Sequence, residues 1–218
     1  MQQRSADWFA ARCGSLGASS LHEAIARTKS GYSASRANLL ARLAVERLTG
    51  TPQETYQNAA MQHGIATEPE ARSAYAFYHD VDVEEIGIVL HPSIAGTHAS
   101  PDGLVGEAGL VEIKCPNSAT HLDFLLTGFI PDKYIVQMLW QMACTGRDWC
   151  DYASFDPRFP EDMRLGVERI ERDNKRIGDL ENEVIAFLGE LETKLARLRS
   201  YSGNIPNAAR LKPEGNQA

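Results

Sequence analysis

Three residues near the middle of the chain have types and spacing that could do chemistry. Asp102 sits in the turn Ser100-Pro101-Asp102-Gly103, Glu112 follows ten residues later, and Lys114 lies two beyond it. Two carboxylates beside one ammonium suit metal-assisted phosphodiester hydrolysis. Magnesium wants hard oxygen ligands and takes only one or two carboxylates from a protein, keeping several waters. It polarises a phosphoryl oxygen and helps ionise the attacking water. A neighbouring lysine orients that water or offsets charge developing on the phosphate. Each fragment alone has a plainer reading, since Pro-Asp-Gly is a frequent turn and Glu-x-Lys a common solvated strand face. The three together, tied to one hairpin, point to a site.

The elements that must position these groups can be read outward from them. Leu110–Lys114 (LVEIK) predicts a strand, with Glu112 and Lys114 on one face and Val111 and Ile113 turned into a core. Gly106–Gly109 (GEAG) turns the chain, so a strand near Leu104–Val105 brings Asp102 beside Glu112. Val81–Leu90 predicts a strand leading to this hairpin. Helices are expected over Ser5–Arg12 (Ser5 as cap, Trp8 and Phe9 on the buried side), Ala18 to about Arg27, Ala34–Leu48 and Ser118–Leu126. Another spans Asn58–Tyr78, broken near Gly64 and Pro69, and its Glu68 would be a third acidic group if it came near the metal. Asp132–Cys144 is a helix whose Gln137 and Gln141 fall on an otherwise apolar face, where a buried amide needs partners. Trp149–Phe155 and Met163–Ile170 read as antiparallel strands. From Asp173 onward, Ile177, Leu180, Val184, Leu188, Leu191, Leu195 and Leu198 form the stripe of one long helix. The serine-rich helix start at Ala18-Ser19-Ser20, one loop from Arg12, suits a phosphate. The loop Arg27–Tyr32 carries two cations and suits a duplex backbone.

The chain has 218 residues, enough for one domain over residues 1–202 with a loose tail at 203–218. No apolar run reaches membrane-spanning length and the first residues lack a signal-peptide pattern. Cys13, Cys115, Cys144 and Cys150 show neither zinc spacing nor the clustering of an iron–sulfur ligand set, so a reduced, cytoplasmic protein is expected. The net charge of −7 is awkward for a nucleic-acid enzyme. It is compatible with one if the arginines and lysine of the N-terminal third (Arg4, Arg12, Arg27, Lys29, Arg36, Arg42, Arg47) form a basic concave face on an acidic body.

With these residues assembled, the chain resembles the phage lambda exonuclease family, the YqaJ-like viral recombinases of the PD-(D/E)xK nuclease superfamily. The resemblance runs through Trp8-Phe9-Ala10-Ala11-Arg12-Cys13-Gly14, Ala18-Ser19, Gly64…Glu68…Ala71-Arg72, SPDG, LVEIKCP, the Gln137 helix, Phe155-Asp156-Pro157-Arg158 and Ile170-Glu171-Arg172-Asp173. It implies an α/β fold with a central mixed sheet flanked by helices and a long C-terminal helix. It also implies Asp102, Glu112 and the Ile113 carbonyl as magnesium ligands (manganese a possible substitute), and Lys114 to orient or activate water. Glu68 and Gln137 match further active-site positions. Arg12, Ser19 and Ser100 match a 5′-phosphate pocket, Lys29 a basic contact to DNA, and Met61 an apolar wedge between strands. The implied activity is 5′→3′ digestion of one strand of linear double-stranded DNA to mononucleotides, leaving 3′ overhangs for recombination. The implied assembly is a ring-shaped homotrimer working beside a single-strand annealing protein in a phage-bearing bacterial cell. Two alternatives are an endonuclease of the same superfamily and a scaffold that binds DNA ends without cutting.

Overall fold

A computed structural model of the chain describes residues 3–53 and 59–201. The expected tail, 203–218, and Asn58 at the start of one expected helix lie outside the described residues. The N-terminal part runs α1 (Ala6–Arg12), β1 (Leu16–Gly17), a 3₁₀ turn (Ala18–Ser20), α2 (Leu21–Ala24), the hairpin β2 (Arg27–Thr28) and β3 (Gly31–Tyr32), then α3 (Ala34–Thr49) and α4 (Ala59–His79). Five strands follow: β4 (Val83–Glu84), β5 (Val89–Leu90), β6 (Thr97–Ala99), β7 (Gly103–Val105) and β8 (Gly109–Lys114). The chain continues with α5 (Ser118–Thr127), α6 (Asp132–Thr145), β9 (Trp149–Phe155), β10 (Leu165–Glu171) and α7 (Asn174–Arg199).

The main sheet has the order β10-β9-β8-β7-β4 and is antiparallel except where β8 and β9 run parallel. A smaller sheet, β1-β6-β5, lies beside it. Both faces of the main sheet are covered, so its central strands are buried throughout. Leu110, Cys150 and Tyr152 face a large core filled by Met138, Leu139, Trp140 and Met142 of α6 and by the stripe of α7 from Ile177 to Leu195. Val111, Ile113, Ala153 and Phe155 face the other way, onto Ala71 and Tyr75 of α4. Glu112 lies between Val111 and Ile113, so the two-residue period of β8 aims it at α6. The indole of Trp140 donates to Thr97 Oγ1 at 3.1 Å, tying α6 to the smaller sheet.

The expected elements are mostly present, and the departures have local causes. Phe9 is 47% exposed and only Trp8 turns inward, because the Trp8 indole has a partner in Ser100. The segment expected as one helix from Ala18 is a 3₁₀ turn and a four-residue helix, and Arg27–Tyr32 pairs as a hairpin. Helix α4 runs unbroken through Gly64 and Pro69. Proline removes one i→i−4 bond, and the buried Ala71 and Tyr75 hold the following turns in place. Val81–Leu90 is two short strands in different sheets, not one. Between them the chain crosses over, with the carbonyls of Ile86 and Gly87 accepting from Gln3 and Ser100. The exposed end of α7 leaves Leu198 outside the core. The N-terminal arginines are less available than expected, since Arg27, Arg36 and Arg47 pair with Glu183, Glu190 and Glu192 of α7, and Arg4 pairs with Glu68.

Gly109 faces Trp149 across the parallel β8–β9 pair, and a Cβ there would stand 2.0 Å from the indole. The indole is also covered by Arg169, 3.4 Å above its ring. Gly109→Ala is expected to destabilise the fold by roughly 1–3 kcal/mol, the usual cost of forcing an extra methyl into a packed site. Urea unfolding checks this, and an unchanged midpoint would show that Trp149 yields freely.

Candidate active site

Glu112 is 1% exposed, and a carboxylate buried so fully needs hydrogen-bond partners. Gln137 and Gln141, one turn apart on α6, supply them. Gln137 Nε2 donates to Oε1 at 2.7 Å and Gln141 Nε2 donates to Oε2 at 2.5 Å. Lys114 Nζ pairs with Oε1 from the same strand face. The unusual glutamines on an apolar helix face are therefore explained, and Gln141 is a site residue that the resemblance alone did not mark. Its sequence signal was the i, i+4 spacing from Gln137.

Asp102 precedes β7 and closes on the same group. Its Oδ2 accepts from the Ile113 backbone N–H at 2.7 Å, beyond the last β7–β8 pair, Gly103 with Val111. Burial and the charge of Glu112 push the Asp102 carboxyl well above its ordinary range, against the pull of Lys114. Burial works against the charge on Lys114, but Glu112 and Asp102 outweigh it and raise the ammonium pKa above its usual value. The lysine is thus held protonated and only a quarter exposed.

Lys114, Ile113 and Cys115 line a cleft of about 860 Å³ whose other wall is α4, including Met61, Ile65 and Glu68. Glu68 accepts from Arg72 Nη2 at 2.8 Å and from Arg4 Nη2 at 2.6 Å. Arg72 Nε in turn donates to the Asp102 carbonyl at 3.2 Å, so Glu68 is linked to the Asp102 turn through an arginine. Burial, then Glu68 and Asp102, push the Cys115 thiol up to about 12, which makes it a poor nucleophile.

The donor set fits a hard dication. Asp102 and Glu112 offer carboxylate oxygens, and two like charges in one buried place are relieved by a cation. Among the described residues no group of three or more His, Cys, Asp or Glu is placed to hold a metal. Two carboxylates are what magnesium commonly takes.

A second pocket, about 260 Å³, lies beside α1 and is lined by Trp8, Arg12, Ser20, Arg42, Glu46 and His98 among others. The Arg12 guanidinium stacks on Trp8 at 4.1 Å, and the Trp8 indole donates to Ser100 Oγ at 3.1 Å. Burial and the neighbouring Arg42 lower the Arg12 pKa to about 10, partly opposed by Glu46. Of the three residues expected around a phosphate, Arg12 lines this pocket. The Ser100 hydroxyl is engaged with Trp8 and the Gly87 carbonyl, and Ser19 is exposed on the 3₁₀ turn. Ser20 takes the lining position, with Arg42 Nη2 3.4 Å from its hydroxyl. Arg42 and His98 were not singled out for this place: Arg42 read as one of several helix cations, and His98 lay in a segment with no motif. His98 Nδ1 shares a 2.8 Å hydrogen bond with Ser15, and its buried Nε2 has no partner. A Cβ on Gly17 would come 3.0 Å from that Nε2 and 3.5 Å from an Arg12 nitrogen, so the glycine leaves the cradle open. Lys29 stands exposed at the tip of the β2–β3 hairpin and lines neither cavity.

Residues 7–148 match the model of the YqaJ-like viral recombinase domain. The chain belongs to the YqaJ-like viral recombinase family. Within that family's fold it is similar to an alkaline exonuclease from Laribacter hongkongensis, LHK-Exo, at 49% identity and a TM-score of 0.84, over 89% of this chain and 96% of that one. The same protein in complex with dAMP superposes equally well. A phage-related exonuclease from Haemophilus somnus 129PT shares the fold at 16% identity and a TM-score of 0.67, over 84% of this chain and 96% of that one. No match was found among curated proteins. The relationship to LHK-Exo supports a nuclease activity for this family member, and the expected mixed α/β architecture with its long C-terminal helix is present.

His98 gives the pocket a pH signature. Burial, and then Arg12, lower its pKa from 6.5 to about 4. The native state therefore keeps His98 neutral while the unfolded chain takes up a proton below pH 6.5, so stability falls as pH drops through that window. The loss is complete below about pH 4 and amounts to about 3 kcal/mol. Replacing it by His98→Gln is expected to flatten that part of the curve in urea titrations at pH 4 to 7. An unchanged slope would place the proton uptake elsewhere.

Proposed function

We propose that the protein is a divalent-metal-dependent 5′→3′ exonuclease that digests one strand of linear double-stranded DNA from a 5′-phosphorylated end. The observation that carries this reading is the buried Asp102–Glu112–Lys114 group opening on the cleft, with the Arg12 pocket tied to it through Trp8 and Ser100. Ser100 is two residues before Asp102, so a terminal phosphate held by Arg12 would lie next to the scissile bond. That arrangement favours release of one nucleotide at a time. The LHK-Exo complex with dAMP, a mononucleotide, is consistent with such a product.

In this mechanism Asp102 and Glu112 would hold the metal, with the Ile113 carbonyl as a further ligand. The Ile113 N–H points to the edge where Asp102 sits, and a strand residue's carbonyl leaves toward the same edge as its N–H. Magnesium, or manganese in its place, supplies Lewis acidity and a more acidic bound water. The chain's own residues do the rest. Gln137 and Gln141 fix the Glu112 carboxylate so that both oxygens keep one orientation, leaving Lys114 to set the attacking water and balance charge on the phosphate. Glu68, through Arg72, holds the Asp102 turn in position. Arg12, with Ser19 and Ser100 from the family resemblance and Arg42 and His98 from the pocket, would take the terminal phosphate. Met61 on the cleft wall would part the strands and Lys29 would touch the backbone of the duplex. As in the family it resembles, the protein would act as a ring-shaped homotrimer with a single-strand annealing partner, leaving 3′ overhangs for recombination.

Linear duplex DNA labelled at the 5′ or the 3′ terminus tests polarity. Rapid release of 5′-labelled mononucleotide that requires metal and a 5′-phosphate is expected. Nicking of closed circles would indicate an endonuclease instead, and tight end binding without cutting a scaffold. Asp102→Ala and Lys114→Ala should each lower turnover on the order of 10²-fold or more with end binding retained; near-normal turnover in either rules out the assignment. Arg12→Ala should erode the preference for a 5′-phosphate over a 5′-hydroxyl end. Equal loss on both ends would make Arg12 a general DNA contact.

A further inference from the structure

The cleft has a feature that the metal group and the phosphate pocket do not use. Between α5 and α6 the chain makes a short loop, Gly128 to Pro131, that is fastened on both sides of one exposed aromatic ring. Gly128 caps α5 in a left-handed conformation, its N–H bonded to the Phe124 carbonyl at 2.8 Å. The Phe129 N–H donates to the Thr127 hydroxyl oxygen at 3.1 Å, Ile130 is buried, and the Pro131 carbonyl accepts from the Tyr134 N–H at 2.9 Å. Phe129 itself is 69% exposed. A loop backbone held by so many local anchors presents the ring with little ordering of the loop left for binding to supply.

Phe129 lines the same cleft as Lys114, and the α4 wall of that cleft carries Met61 and Ile65, both exposed. Tyr134 also lines it, with the ammonium groups of Lys114 and Lys133 at 5.0 and 4.6 Å from its ring. The cleft therefore joins apolar surfaces to a cationic end beside the carboxylates. A nucleotide has the matching division, a planar base with apolar faces and an anionic phosphate.

We propose that Phe129 stacks on the nucleobase of the nucleotide being removed and so holds that nucleotide in the cleft that Lys114 also lines. This rests on the nuclease reading above. Stacking is tolerant of base identity because every base presents a π-face, which suits an enzyme that must digest any sequence. It also accounts for an exposed phenylalanine in a loop whose other apolar residue, Ile130, is buried.

The test is a cycle of protein and substrate changes. On a 5′-phosphorylated duplex, Phe129→Ala should raise KM on the order of 10-fold with kcat little changed, the scale of one lost base–aromatic contact. Wild-type protein should show a similar rise when the terminal nucleotide is abasic, and Phe129→Ala should add nothing further on that substrate. Phe129→Trp should restore the wild-type KM. Anisotropy binding of the same duplexes in chelator gives the cycle without turnover. A wild-type protein that binds but never cleaves thus overturns the exonuclease reading while the stacking result is still read. Normal KM and affinity in Phe129→Ala, or losses from ring and base that multiply independently, would overturn the proposal. So would a change in oligomeric mass by light scattering, which would make Phe129 a subunit contact.

Discussion

The structure turns on one carboxylate placed where carboxylates rarely go. Glu112 sits in the middle of a buried strand, on the face that α6 covers, and every oxygen lone pair it brings inside must be met. Two glutamine amides and a lysine meet them. This sets the register of α6 on the sheet, since a rotation of that helix by one residue would replace amides with alkyl groups over a charge. The same constraint explains why an otherwise apolar helix, with Met138, Leu139, Trp140 and Met142 fully buried, carries two amides at all.

A second buried carboxylate on the opposite face shows the contrast between a closed charge and an open one. Asp151 accepts both prongs of Arg169, at 2.7 and 3.0 Å, and the Tyr75 hydroxyl at 2.7 Å. The two-pronged guanidinium balances its charge outright. Glu112 is matched with a single cation, Lys114, which also lines the cleft, and with neutral amides that orient without neutralising. In the Asp102–Glu112 pair, burial first and then the charge of Glu112 raise the Asp102 carboxyl, a penalty that a bound cation would relieve.

Much of this was legible beforehand because it depends on local periodicity. The alternation in Leu110–Lys114, the Pro-Asp-Gly turn, the amide spacing on α6 and the stripe of α7 each follow from residue types at fixed intervals. What escaped depends on contacts between distant segments. The exposure of Phe9, the split of Val81–Leu90 between two sheets and the pairing of three N-terminal arginines with α7 all arise from tertiary neighbours. The pocket around Arg12 gathers Ser20, Arg42 and His98 from three separate stretches, and no spacing rule connects them. Helix α4 showed the reverse error, with Pro69 read as a break although the packing of Ala71 and Tyr75 carries the helix past it.

That proline divides α4 mechanically. On its C-terminal side, Ala71 and Tyr75 are clamped into the core beneath the sheet; on its N-terminal side, Met61 and Ile65 form the cleft wall with their side chains in solvent. The missing i→i−4 bond falls in the turn that carries the buried Thr67 and the ion-paired Glu68, so side-chain contacts hold the helix where its backbone is weakest. Because Arg72 bridges Glu68 to the Asp102 carbonyl, any bending of the wall at that point would be felt at the Asp102 turn. The cleft wall and the carboxylates are thus joined through one arginine.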